Sequence, residues 1–137
     1  MNKPAVRFRP VAPYIIEILI VYTLFISFET MTRQISELVW KKRLLIISYE
    51  KEGDELISKS LNFISNNTCE IDDRCLELIF FKKLKNKNFD KPKYVNEYGI
   101  WLLGYDGGVK DFSSDSSILL RLFSLIDSMP MRKNENK

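Results

Sequence analysis

Residues 43–49, RLLIISY, set the tightest limit on what this chain can fold into. Leu44, Leu45, Ile46 and Ile47 are consecutive branched apolar residues with charged residues on either side. A strand points successive side chains to opposite faces, so an unbroken apolar run requires both faces of its sheet to be covered. The sheet must be a middle layer. RCLELIFFK, residues 74–82, is a second strand of similar kind.

Between the two strands the period changes. In EKEGDELISKSLNFISNN, Ile57, Leu61 and Ile64 fall on one helical stripe, with Leu56 and Phe63 beside it. Asp54 and Glu55 suit the first turn, where the helix dipole favours negative charge. The spacing predicts a helix from about residue 53. Asp90 and Pro92 read as the start of a second, short helix, KPKYVNEYG, stopped by Gly99. Ile100–Leu103 make a third strand, and Asp106, Gly107 and Gly108 turn it back into a fourth, VKDF. Ser114 is a fair N-cap for a last helix, with Pro130 as its stop. Its stripe is Ile118, Leu122, Leu125 and Met129, broadened by Leu119, Phe123 and Ile126.

The order is strand, helix, strand, helix, strand, strand, helix. Strands joined through a helix should be parallel and a hairpin antiparallel. The expected fold class is α/β: a thioredoxin-like mixed four-stranded sheet with helices on both faces. It is expected over residues 43–132, after a polar connector at 31–42 in which one or two helical turns fit, and before a polar tail at 133–137.

The N-terminus follows another plan. MNKPAVRFRP carries Lys3, Arg7 and Arg9 and no acid, and residues 11–28 are then nearly all apolar. A basic flank followed by an apolar run is the pattern of a signal peptide or signal anchor. About 18 residues is near the lower limit for a membrane helix. Glu17 costs roughly 2.5–3.5 kcal/mol at mid-membrane, but strongly apolar residues return roughly 0.3–0.6 each. Cleavage needs small residues, and Phe25 and Phe28 spoil the early pairs. Residues 1–30 are therefore expected to be an uncleaved anchor, with the domain outside the cytoplasm. Secretion after cleavage is the alternative.

Two stretches, WLLGYDGGVKDFSS and LFSLIDSMPMRKNE, resemble the family named domain of unknown function 4174, together with the entry VWKKRLLIIS. The resemblance covers about residues 38–135. Its specific parts are the Asp106-Gly107-Gly108-Val109-Lys110 turn and the Met129-Pro130-Met131-Arg132 end. It implies a thioredoxin-like domain behind a signal sequence, found in small exported bacterial proteins and related to a domain of vertebrate extracellular sushi-repeat proteins. It assigns no role to those motif residues. Where the family usually has Lys before Asp-Gly-Gly, this chain has Tyr105.

Composition excludes more than it suggests. The chain has no His, which removes a Ser-His-Asp triad, a Cys-His pair and His-based metal sites. No metal or cofactor is expected. A net charge of +3 does not force nucleic-acid binding, and none is expected. A thioredoxin-type enzyme keeps its reactive thiol after strand one, where the helix dipole stabilises thiolate. That place reads YEKEG, Tyr49–Gly53, and holds no Cys. Cys69 and Cys75 lie beyond the other end of the helix, among Glu70, Asp72 and Asp73, where every nearby acid favours thiol. They are expected to form a structural disulfide or to remain two inert thiols. The loop KKLKNKNFDKPK presents Lys83, Lys85 and Lys87 as a candidate anion-binding surface, against the plainer reading of a solvated loop. The expected function is that of a membrane-anchored binding or structural module acting on an unknown protein partner. A weak thiol oxidoreductase or peroxidase-like protein using Cys69 and Cys75 is the alternative.

Overall fold

The computed structural model describes residues 32–135 and, near the start, residues 2, 4 and 5. The apolar run at 11–28 and residues 136–137 lie outside the described residues. Among the described residues, no helix is long and apolar enough to cross a membrane.

A mixed four-stranded sheet forms the centre. Strand β1 is Arg43–Tyr49, β2 Leu76–Lys82, β3 Gly99–Leu103 and β4 Val109–Ser113. Their order is β2-β1-β3-β4. β1 and β2 are parallel, with Leu45 opposite Leu78. β1 and β3 are antiparallel, as are β3 and β4. The two inner strands, β1 and β3, are buried on both faces, as the unbroken apolar run requires.

One face carries Leu45 and Ile47 of β1 with Ile100 and Leu102 of β3, packed under helices α1 (Glu55–Asn66), α2 (Thr68–Asp73) and α3 (Ser117–Ser128). Helix α3 buries Ile118, Leu119, Leu122 and Ile126, within the stripe expected for it. Helix α1 sits differently from its expected stripe. Ile57 and Ser60 are buried, whereas Leu61 is 52% exposed. Ser60 is small enough to let the helix approach the sheet, and its hydroxyl donates to the Leu56 carbonyl at 2.7 Å, so its burial leaves no polar group unpaired.

The opposite face departs from the expectation of helices on both sides. Leu44, Ile46, Trp101 and Leu103 are covered by a 3-10 turn at Ile35–Leu38 and by the loop that leads from β2 to β3. The helix expected at residues 91–98 is not formed; the segment holds one turn, closed by the Val95 amide on the Pro92 carbonyl at 3.1 Å. Its groups are used elsewhere. The Lys91 ammonium donates to the Val95 carbonyl at 3.0 Å, Val95 is fully buried, and Tyr94 packs on Trp101 with ring centroids 6.1 Å apart. One hydrogen-bonded turn does not offset the cost of starting a helix. Pro130 ends α3 as expected but also opens a second short helix, α4 (Pro130–Glu135), where its missing amide costs nothing.

Candidate functional site

The two sequence motifs meet at the end of the sheet where β1 and β2 begin. Arg43 opens β1, its amide bonded to the Cys75 carbonyl at 3.1 Å, and its side chain is fully buried. A buried guanidinium needs partners for its charge and its donors. One terminal nitrogen donates to the Arg74 carbonyl at 2.8 Å and the other to the Glu135 carboxylate at 2.9 Å. The plane of the group lies over the Tyr105 ring, 4.1 Å from its centroid. The Nε atom has no partner among the described residues.

Two further buried arginines brace the same end. Arg74, in the turn before β2, forms a paired contact with both oxygens of Asp127 at 3.0 and 2.7 Å and lies over the Phe123 ring. Arg132 of α4 donates to the Asp73 carbonyl at 2.9 Å, contacts the Asp73 carboxylate and pairs with Glu135 at 3.2 Å. The hydrogen bonds from Arg74 hold the Asp127 carboxyl below its ordinary range. Burial pushes Glu135 the other way, but the hydrogen bonds from Arg43 and Arg132 outweigh it and its carboxyl is lowered too. Carboxyls lowered by folding stabilise the fold above their unfolded values and lose that contribution as pH falls through the folded ones. The melting temperature should be nearly flat from pH 7 to 5 and fall once pH drops below about 4. Asp127→Asn should melt lower at pH 7 and show a shallower fall, read by circular dichroism across pH.

Burial, and then its hydrogen bond with Cys75, push the Tyr105 phenol up to about 12 against the pull of Arg43. It is neutral at physiological pH. The turn that follows it is closed by the Gly107 amide on the Gly104 carbonyl at 3.0 Å. Asp106 accepts the Gly108 amide at 3.1 Å and the Lys110 ammonium at 2.6 Å, and that ammonium, first among its partners, lowers its carboxyl. Gly107 has φ +74°, which favours glycine, and a Cβ there would lie 2.8 Å from a Val39 methyl, which would have to shift.

Between turn and helix lies a pocket of about 290 Å³ lined by Arg43, Gly104, Tyr105, Asp106, Lys110, Met129, Pro130 and Met131. Its lining is mainly apolar. The carboxylates around it are ion-paired and the phenol is neutral, so the arrangement suits holding a small group better than moving protons at neutral pH.

The family model for the domain of unknown function DUF4174 matches residues 34–135, most of the 137-residue chain. The chain belongs to the DUF4174 family. No curated protein and no solved structure matches it. The DUF4174 match starts before β1, at the 3-10 turn whose Ile35 and Leu38 pack under the sheet.

Within the DUF4174 domain the structure brings Asp106 and Lys110 of the turn to one pocket with Met129, Pro130 and Met131, whereas Arg132 pairs with Asp73, Asp127 and Glu135 and Gly107 faces Val39. Val109 and Met131 are each 42% exposed. Cys69 lies exposed on α2 and Cys75 half-buried in the turn before β2, and the two are not bonded to each other. Lys83, Lys85 and Lys87 follow β2 at the other end of the sheet and take no part in the pocket. Residues 50–53 also lie at that far end, after β1. Sequence reasoning did not single out Arg43 or Asp127. Arg43 had a signal: a charge immediately before an apolar run on a strand buried on both faces.

Proposed function

We propose that this DUF4174 domain is a thioredoxin-like binding module, exported and held on the outer side of a membrane by residues 11–28, and without thiol catalysis. The strand order β2-β1-β3-β4, with its parallel and antiparallel pairs, supports the thioredoxin-like reading. One observation carries the non-catalytic reading. The end of β1 that would present a reactive thiol is Tyr49–Gly53, while Cys69 and Cys75 sit toward the opposite end of the sheet beside acids. Neither thiol stands at that end of β1. The apolar pocket between the turn and α4 offers a place for a partner's side chain.

The test uses the full-length chain. Alkylation without prior reduction should label Cys69 quickly and Cys75 slowly, and neither peroxide nor a disulfide substrate should be turned over. Turnover that disappears in Cys69→Ser or Cys75→Ser would establish the oxidoreductase instead. Protease added to intact cells should remove an epitope placed at the C-terminus; a protected epitope would reverse the orientation.

A further inference from the structure

The loop from β2 to β3 is more ordered than a solvated connector needs to be. Lys83 and Leu84 both hold left-handed backbone, with φ +50° and +57°. The turn is closed by the Lys85 amide on the Lys82 carbonyl at 3.0 Å. Two successive positive-φ residues are the geometry that Asn-Gly normally supplies, so Lys-Leu is strained there. Leu84 tucks its side chain against the sheet, which offsets part of the strain. Asn86 then fixes the next residues: its side chain donates to the Phe80 carbonyl at 2.7 Å and accepts the amides of Asn88 and Phe89 at 2.7 and 3.0 Å.

This frame leaves Lys83, Lys85 and Lys87 exposed. Among the described residues no carboxylate pairs with any of them, whereas the neighbouring Lys82 is paired with Glu52. Residues 32 and 33 are hydrogen-bonded to the same loop. The Arg33 amide donates to the Asn88 carbonyl at 2.7 Å, the Asp90 amide donates to the Arg33 carbonyl at 3.0 Å, and the Thr32 hydroxyl donates to the Asp90 carboxylate at 2.7 Å. The domain therefore starts on the lysine loop itself.

We infer that Lys83, Lys85 and Lys87 form a docking surface for anionic lipid headgroups of the membrane that holds the chain. The inference rests on the anchored reading above. Surface charge is felt over about 10 Å at 0.1 M salt, so exposed ammonium groups on this loop act on an anionic headgroup layer within that range. Three unpaired ammonium groups on a fixed turn match a layer of phosphates in charge, and hydrophobic insertion is not required.

The full-length chain is mixed with phosphatidylcholine vesicles, or with vesicles carrying 30% phosphatidylglycerol, and followed by flotation and amide hydrogen exchange. The chain should float with both, resist carbonate extraction from both, and show slower exchange across residues 83–90 only with phosphatidylglycerol. High salt and the triple variant Lys83→Gln, Lys85→Gln, Lys87→Gln should remove that protection while flotation persists. Salt-reversible flotation with phosphatidylglycerol alone would refute the anchor and keep the docking surface. Flotation with both but equal exchange would refute docking and keep the anchor. No flotation with either refutes both. Equal protection by soluble polyphosphate on phosphatidylcholine vesicles would show a general polyanion site and overturn the lipid assignment.

Discussion

Arg43→Ala is expected to lower the stability of the domain by about 3 kcal/mol, the scale for removing one partner of a buried ion pair. For a domain of this size that corresponds to a melting-temperature drop of roughly 10–20 °C. Three losses coincide at one position. Glu135 keeps its charge but loses the partner 2.9 Å away. The Arg74 carbonyl loses a donor at 2.8 Å. The Tyr105 ring loses the flat cation stacked 4.1 Å from its centre. Partial exposure of Glu135 moderates the first loss, because water can reach its carboxylate. Arg43→Lys should restore little, since an ammonium cannot satisfy the carbonyl, the carboxylate and the ring together. Arg43→Met tests the packing alone and should fall between Ala and the unmutated protein. The measurement is a circular-dichroism melt of the full-length chain in detergent. If Arg43→Ala melts within 3 °C of the parent, the buried arginine does not hold this end of the fold. The acid dependence should also weaken in Arg43→Ala, because Glu135 would lose its main reason for titrating low.

Much of the architecture was legible because the relevant signals are local. The run Leu44–Ile47 dictates burial on both faces whatever the neighbours are. Asp106-Gly107-Gly108 specifies a tight return through backbone sterics alone. Helix α3 carries enough apolar residues for its buried face to be read from spacing. What was misread depends on partners distant in sequence. Residues 91–98 contain helix-start residues, but Val95 and Tyr94 are claimed by the sheet, and tertiary packing outweighs weak propensity in so short a segment. Ser60 carries no hydrophobic signal, so its burial in place of Leu61 follows only from the close approach of α1 to the sheet. The candidate site was half legible. Its two motifs were visible as stretches, but their meeting depends on Arg43 and Tyr105, and on α4 folding back after Pro130. A salt bridge between residues 43 and 135 leaves no trace in local pattern.

Gly99→Ala should be nearly as damaging as the loss of Arg43, for a steric reason. Gly99 begins β3 with φ +154°, and a Cβ there would lie 2.5 Å from the Ser113 carbonyl oxygen and 2.7 Å from the Phe112 ring. The first of these is backbone, so a rotamer change cannot relieve it. The strand pair would have to separate where Ile100 faces Ser113. The same shift would disturb Ser48, whose hydroxyl accepts the Gly99 amide at 3.1 Å and donates to the Glu97 carbonyl at 2.6 Å. Overpacking and disfavoured backbone together give an expected loss of about 3 kcal/mol. Gly53→Ala is the proper comparison. Gly53 also has positive φ, +92°, but nothing lies within 4 Å of the added methyl. Its loss should be about 1 kcal/mol, from backbone strain alone. Urea titration of both variants separates the two contributions: equal losses would mean that β4 yields to the methyl, and that the close approach of β3 and β4 does not require glycine. A loss in Gly99→Ala that exceeds Gly53→Ala by about 2 kcal/mol would show that the contact, rather than the dihedral angle, reserves the start of β3 for glycine.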